Sequence, residues 1–294
     1  MFNKLLRTVV LCSQTLSSIT IVLFWATFAS QAMSAEDVFP DKGLEAAVRQ
    51  EVFAKRYNKD PITADDVKSI SRVIGKGKKI ESLEGLQHCK AIMEIDLENN
   101  SITDLAPIRD LKLLQSLNLA GNQIESIKAL SELKLLQYLE LSRNKISDLD
   151  PLKSMTNMRS LYLSENRIKT FSSLSEMKKV WTLHAAMNPI EDFSAIGDLT
   201  WLESLDLSET NLKELGFLKS LNEVKRLSLA KNKIEDLNQI VSWCKADAAG
   251  SRRFALFLML DLRMNPLREE AKSKQVSKLK ELGVRVIFES NEKQ

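Results

Sequence analysis

The sequence predicts an α/β solenoid: a right-handed coil with a parallel β-sheet on its concave face, 3₁₀ or irregular segments on its convex side, a helical N-terminal cap and a helix-strand C-terminal cap. Three observations carry this. A phrase reading Leu-x-Leu-x-x-Asn-x-Ile, first clean over residues 95–102, returns every 22 residues, with anchors at Asn100, Asn122, Asn144, Asn166, Asn188, Thr210 and Asn232. Apolar residues recur five and three places before each anchor, then at two, five, eight, eleven and fourteen after it; for Asn144 these are Leu139, Leu141, Ile146, Leu149, Leu152, Met155 and Met158. The last anchor, Asn265, follows 33 residues after Asn232, so 11 residues are inserted into one turn while the phrase survives.

Each column has a physical reading. The period-two pair is a strand sending alternate side chains inward, and the period-three tail suits a 3₁₀-like arc on the opposite wall. One such turn cannot bury its apolar face alone, so only stacked turns are stable. A polar anchor facing the interior is tolerable if its amide satisfies backbone groups of its own turn and the next, since an orphaned group costs about 1–3 kcal/mol. The eight anchors, Thr210 through its hydroxyl and Asn265 included, are therefore read as a structural ladder.

Taken in order, residues 1–35 read as an export signal. Lys4 and Arg7 are followed by an apolar run over 19–29 and by small residues at Ser30, Ala32 and Ser34. Residues 8–29 carry no charge and are long enough for an uncleaved anchor, the only route by which the sequence suggests membrane contact. Residues 36–72 form the N-terminal cap: a helix over 36–57 with Leu44, Ala47, Val48 and Val52 on one face, then a second short helix announced by Thr63 and Asp66 with Val67 and Ile70 inward. The repeats run over 73–267, opening with a degenerate turn that has Lys78 in the anchor column. The insertion, about 244–254, is expected to bulge from the convex side as an extended helix or loop, with a strand over 254–262 resuming the register. Residues 268–294 form the C-terminal cap: Val276, Leu279 and Leu282 on one helix face, Gly283 as its cap and a closing strand over 284–288.

The Phe39-Pro40-Asp41 lead-in, the Thr63-Ala64-Asp65-Asp66-Val67 segment, Ser82-Leu83-Glu84-Gly85-Leu86 and turns such as Ile146-Ser147-Asp148-Leu149-Asp150-Pro151-Leu152 resemble the internalin-type bacterial leucine-rich-repeat proteins with 22-residue repeats. The likeness covers about residues 36–268.

Composition bounds the function. Lys4 and Arg7 are the only charged residues among the first 35, which leaves 40 basic against 39 acidic side chains and gives no support for nucleic-acid binding. Outside that segment the cysteines are Cys89 and Cys244, seven turns or about 34 Å apart at about 4.8 Å per stacked strand, too far for a disulfide. His88 and His184 lie more than four turns apart, and no metal-ligand or nucleophile motif is present, so the reading is of a non-enzyme with no cofactor and no metal. The lysine- and glycine-rich stretch 75–79 lacks the spacing of a phosphate loop and reads as a solvated turn. Acidic residues four places after the anchors, at Asp104, Asp148, Asp192, Glu214 and Asp236, suit capping of the following turn.

The outward strand positions then define the binding surface. Tyr138, Tyr162 and His184 fall on three successive turns, with Trp181 at a strand entrance, Met187 at its exit, and Glu140, Arg143, Arg159 and Asp206 as a charged rim. Exposed aromatics gathered in one place mark a protein-binding hot spot. For Trp181 packing inward beside the small Ala185 competes with that reading. The sequence thus reads as an exported monomer, in periplasm, at the cell surface or in the medium, that holds a protein or peptide partner on its concave face. The rival readings are an intracellular scaffold similar to the phosphatase-regulatory 22-residue-repeat proteins, and a carbohydrate receptor.

Overall fold

The computed structural model describes residues 37–250 and 253–288; the export-signal reading of residues 1–35 lies outside them. Strands of three residues each stack into one parallel sheet of ten, β1 to β10 in chain order, with every sequential neighbour paired. They are β1 Arg72–Ile74, β2 Glu94–Asp96, β3 Ser116–Asn118, β4 Tyr138–Glu140, β5 Ser160–Tyr162, β6 Thr182–His184, β7 Ser204–Asp206, β8 Arg226–Ser228, β9 Met259–Asp261 and β10 Arg285–Ile287. The register is constant: the middle residues Val73, Ile95, Leu117, Leu139, Leu161, Leu183, Leu205, Leu227, Leu260 and Val286 form one row. From Val73 to Leu260 that row is buried, and the residues on either side of it face outward. Alternation along so short a strand leaves no other choice.

The return path is built from 3₁₀ turns, among them Ala106–Ile108, Lys128–Leu130, Asp150–Leu152 and Ser172–Leu174, each burying one apolar residue against its neighbours. A three-residue period matches the three residues per 3₁₀ turn, which is why the column spacing changes from two to three on this wall. Asp104, Asp148, Asp192 and Asp236 accept the N–H two residues on at 2.8–3.0 Å and so cap the turns. Glu214 does not; it lies 3.5 Å from the Gln239 side-chain amide.

Three α-helices lie in the described residues: α1 Lys42–Glu51, α2 Asn238–Ala249 and α3 Val276–Glu281. Helix α1 is shorter than the 36–57 span expected and is followed by a 3₁₀ turn, Phe53–Lys55. The second cap helix does not form. Residues 64–69 are turns, held by Thr63 donating to Asp66 through its N–H and its hydroxyl, both at 2.8 Å, while Val67 and Ile70 are buried. The local capping signal is satisfied, but the segment has too few residues to repay helix nucleation.

The insertion starts earlier than the count of residues implied. Of the helix or loop expected, a helix forms: α2 begins before the inserted residues and stands in place of the 3₁₀ arc, burying Ile240, Val241, Trp243 and Cys244. Trp243 stacks on Phe254 at 4.1 Å between ring centroids, and its indole N–H donates to the Leu221 carbonyl at 2.9 Å. The expected strand over 254–262 is a 3₁₀ turn, Ala255–Phe257, followed by β9. Asp247 ends the detour by accepting the N–H groups of Arg253 and Ala255 at 2.8 and 3.0 Å. Helix α3 stops at Gly283, whose φ of +91° lets its N–H reach Lys280 and the Val284 N–H reach Leu279, both at 3.0 Å. Cys89 and Cys244 are buried free thiols, each pushed up to about 12 by burial.

Candidate functional site

The anchors fix the path by which each strand leaves the sheet. Asn144 donates from Nδ2 to the Leu119 and Leu141 carbonyls at 3.0 and 2.9 Å, and its Oδ1 accepts the Ile124 N–H at 3.0 Å. Asn100, Asn122, Asn166, Asn188, Asn232 and Asn265 repeat the pattern, so a strand-exit carbonyl such as that of Leu141 receives one donor from its own turn's asparagine and one from the next. Thr210 is fully buried and its hydroxyl donates to Leu207 at 2.7 Å, but it cannot reach Ala185. Ile190 N–H turns instead to the Asn188 carbonyl at 2.9 Å.

The residue before each anchor is left-handed: Gly77, Asn99, Gly121, Arg143, Glu165, Met187, Glu209, Lys231 and Met264 have φ between +55° and +66°. Sequence reasoning missed this column, although glycine at two of its positions was a readable signal. Where the anchor is not asparagine, at Lys78 and Thr210, the residue after it is left-handed as well, Lys79 and Asn211. Arg143 and Met187 sit in this column, at the rim where the chain leaves the sheet.

On the sheet face, the row formed by the last residue of each strand brings Asp96, Asn118, Glu140, Tyr162, His184 and Asp206 side by side. Tyr138 stands two residues before Glu140. Its ring lies 5.5 Å from that of Tyr162, and Tyr162 meets His184 edge-on at 5.0 Å, so the three rings form a continuous half-exposed strip. Trp181 does not pack inward: it is 44% exposed and carries the Arg159 guanidinium over its ring at 5.1 Å. Met187 is 46% exposed at the opposite rim. Arg143 forms no ion pair with Glu140, although its charge acts on that carboxyl; its Nη2 bonds Glu98 and Asn99, both at 3.2 Å, and Glu98 also holds Lys76 at 2.6 Å.

The electrostatics follow from this placement. Burial raises the Glu140 carboxyl above its ordinary value despite the Ser142 N–H donated to it at 2.7 Å. Burial, reinforced by the negative charge of Glu140, pushes the Tyr138 phenol up to about 12. Burial lowers His184, outweighing the attraction of Asp206, with Arg226 acting in the same direction as burial. His184 Nε2 lies 3.2 Å from Ser204 Oγ, a partner the sequence reading did not single out. Asp206 does not bond the histidine; it accepts the Ser208 N–H and hydroxyl at 2.9 and 2.7 Å. A groove of about 530 Å³ on the far wall, between the 3₁₀ turn Gly216–Ser220 and α2, holds none of the candidate residues. No group of three metal-ligating side chains gathers among the described residues.

A ten-stranded parallel sheet, 3₁₀ returns and a shared asparagine ladder define a leucine-rich-repeat protein. The leucine-rich-repeat family model matches in two copies, over residues 94–132 and 134–176. Among solved structures, internalin C2 of Listeria monocytogenes is 27% identical with a TM-score of 0.66, covering 69% of this chain and 89% of its own. A leucine-rich-repeat protein of Leptospira interrogans gives 0.67 at 21% identity, covering 78% and 63%. The ectodomain of a plant membrane receptor kinase from Arabidopsis thaliana, in complex with Casparian strip integrity factor 2, gives 0.52 at 23%, covering 62% and 22%. A search of curated protein sequences found no match. The chain folds as a leucine-rich-repeat solenoid, and its coils are similar to those of internalin C2. Such proteins generally mediate protein–protein interaction, and the fold is typically a non-enzymatic scaffold.

Proposed function

We propose that this chain is an exported, non-catalytic binding module whose sheet face holds a protein or peptide partner on the strip Tyr138, Tyr162 and His184. Trp181, Arg159, Met187, Glu140 and Asp206 contribute at its margins. The observation that carries the reading is the strip itself: three rings in mutual contact on successive strands, half open to solvent, on a face where the inward row is already filled by leucine. Aromatic side chains kept at a surface with little rotamer freedom supply contact area at small entropic cost, which is how binding hot spots are built. The receptor ectodomain above was solved with its ligand bound, a second support for a scaffold that binds protein or peptide. Export rests on residues 1–35, with Lys4 and Arg7 ahead of an uncharged apolar run. No helix of the described residues is long and apolar enough to cross a membrane.

Affinity capture from the native source with the full chain, and with Tyr138→Ala combined with Tyr162→Ala, tests the binding face. The variant is expected to lose the captured partner while its melting temperature stays within about 2 °C of the parent, because both rings stand outside the buried row. A matching loss of folding, or capture undiminished by the variant, overturns the assignment. N-terminal sequencing of the secreted protein tests export: a new terminus after residues 30–34 is expected, and retention of the whole chain in the cytoplasm refutes it.

A further inference from the structure

The chemistry of the partner is written in the charges around the strip. In the row of last strand residues the charged members are Asp96, Glu140, Asp206 and Asp261, and no lysine or arginine occurs in it from Ile74 to Ile287. Asp261 is matched by Arg263 at 2.6 Å. Asp96, Glu140 and Asp206 have no ion pair among the described residues, although 22 ion pairs are formed elsewhere. Of the basic groups near the strip, Arg143 is held by Glu98 and Arg159 lies over Trp181, whereas Arg226, opposite Ser204 on the next strand, acts on His184 and forms no ion pair among the described residues, so it sets the basic limit of the acidic face on that side. The rings of Tyr138 and Tyr162 therefore stand beside carboxylates that no direct ion pair closes, Glu140 being opposite Tyr162 on the adjacent strand, with Arg143 and Lys76 acting on Glu140 and Asp96 only from a distance. A cationic side chain laid there gains attraction from the ring faces and from the carboxylates together. An anionic or apolar segment gains only the rings and leaves the carboxylates partly desolvated without a counter-charge.

Resting on the binding-face reading above, we propose that the partner is an extended peptide segment of a protein that lays basic side chains, lysine or arginine, over the Tyr138–Tyr162 strip, with Glu140 as the central counter-charge and Asp96 and Asp206 on either side. Tyr162, His184 and the three carboxylates lie along one row that crosses six strands, with Tyr138 two residues to one side of it, so the segment runs across the strands rather than parallel to them. Basic residues spaced to meet Asp96, Glu140 and Asp206 must span roughly 9–10 Å from one carboxylate to the next at about 4.8 Å per strand for the first pair, and roughly 14 Å for the second. An extended chain at about 3.3–3.6 Å per residue covers the first gap with three residues and the second with four when fully extended.

The test uses the full chain and three synthetic peptides of identical glycine-serine background, carrying at those spacings lysine, glutamine or glutamate, measured by calorimetry at low and at physiological salt. The lysine peptide is expected to bind more tightly than the glutamine peptide and to weaken as salt rises, since the Debye length falls to about 8 Å at physiological ionic strength. The glutamate peptide is expected not to bind. Glu140→Gln, which keeps the shape and the bond to the Ser142 N–H, is expected to weaken the lysine peptide about fivefold, and Glu140→Gln with Asp206→Asn about tenfold or more. Equal affinity for lysine and glutamine peptides, no binding of the lysine peptide, or no effect of Glu140→Gln would overturn the inference. The two readings separate in capture of the native partner. Loss with Tyr138→Ala and Tyr162→Ala but not with Glu140→Gln removes the basic-partner inference alone, whereas insensitivity to all three removes the binding face with it.

Discussion

At the scale of one residue, the coil is held by amides that face inward and are shared. Asn166 bonds the Leu141 and Leu163 carbonyls at 3.0 Å and accepts the Ile146 N–H at 2.9 Å. In Asn166→Ala each carbonyl keeps a donor from a neighbouring asparagine, Asn144 or Asn188, so the buried group orphaned is the Ile146 N–H. That orphan and the bonds lost are expected to cost roughly 2–4 kcal/mol in denaturant unfolding. Thr210→Asn is expected to act in the other direction, by about 0.5–1.5 kcal/mol, because its Nδ2 can reach the Ala185 carbonyl that now has Asn188 as its one side-chain donor. A gain there requires Asn211, at φ +62°, to return to the conformation its counterparts hold in the other turns. The left-handed column makes a separate prediction. Glu165 at φ +57° carries a strain of about 1–2 kcal/mol, and Glu165→Gly removes it while adding freedom to the unfolded chain. The net expectation is a stabilisation of about 0.5–1 kcal/mol, read as a higher denaturant midpoint with an unchanged slope.

At the scale of the element, the joint between cap and coil depends on Asp41. Its carboxylate accepts the Leu44 N–H at 3.0 Å as the N-cap of α1, and the Glu81 and Ser82 N–H groups of the first turn at 2.8 and 3.1 Å. Burial would raise its pKa, yet the backbone donors hold it below the ordinary 3.8. Asp41→Ala is expected to destabilise by roughly 2–3 kcal/mol, and Asp41→Asn by less, in thermal or urea unfolding. The same joint shows what a sequence reveals and what it hides. The Leu44, Ala47 and Val48 face of α1 was legible because its spacing of three and four positions has one meaning, and the ladder columns because a 22-residue period repeats each position. The 64–69 turns were not legible, since a capping signal says where a helix starts without saying that enough residues follow. The helix at the insertion was among the expected forms, but its start was not legible from a count alone: Ile240, Val241, Trp243 and Cys244 fit a helical face beginning at Asn238. On the sheet face, alternation sent Tyr138, Tyr162 and His184 outward, whereas the pairing of Arg143 with Glu98 crosses two turns and depends on a backbone angle that no column recorded.

At the scale of the whole molecule, the strand pairings and anchor bonds that define a turn are made with the turn before or after it, the Arg143–Glu98 side-chain pair reaching one turn further, and two consequences can be measured. The first concerns pH. His184 is held below its ordinary 6.5 by burial, so above 6.5 neither state carries its proton and it contributes no slope. As pH falls below 6.5 the unfolded chain takes up the proton first, and stability declines until the folded pKa is passed. His184→Gln should flatten the stability profile in that interval and nowhere else, in urea titrations at a series of pH values. The second concerns length. Removing residues 101–122 takes out one full period and joins Asn100 to Gln123, which follows Asn122 as Ser101 follows Asn100. Asn144 then stands where Asn122 stood, with the Leu97 carbonyl and Ile102-equivalent N–H of Ile124 one turn apart as before, and β2 meets β4 with the buried row intact. If stability is a sum over turns and nearest-neighbour interfaces, the shortened chain should fold, unfold in one transition with a slightly smaller denaturant slope, and keep the Tyr138, Tyr162 and His184 strip and its partner. Removing α1 instead takes away a surface that no neighbouring turn can replace. Leu44, Ala47 and Val48 cover the first coil, and without them the edge of β1 is exposed, so that variant should aggregate on refolding. If the loss of an interior turn proved as damaging as the loss of the cap, the turns could not be equivalent units, and the sheet face would have to be treated as one indivisible surface.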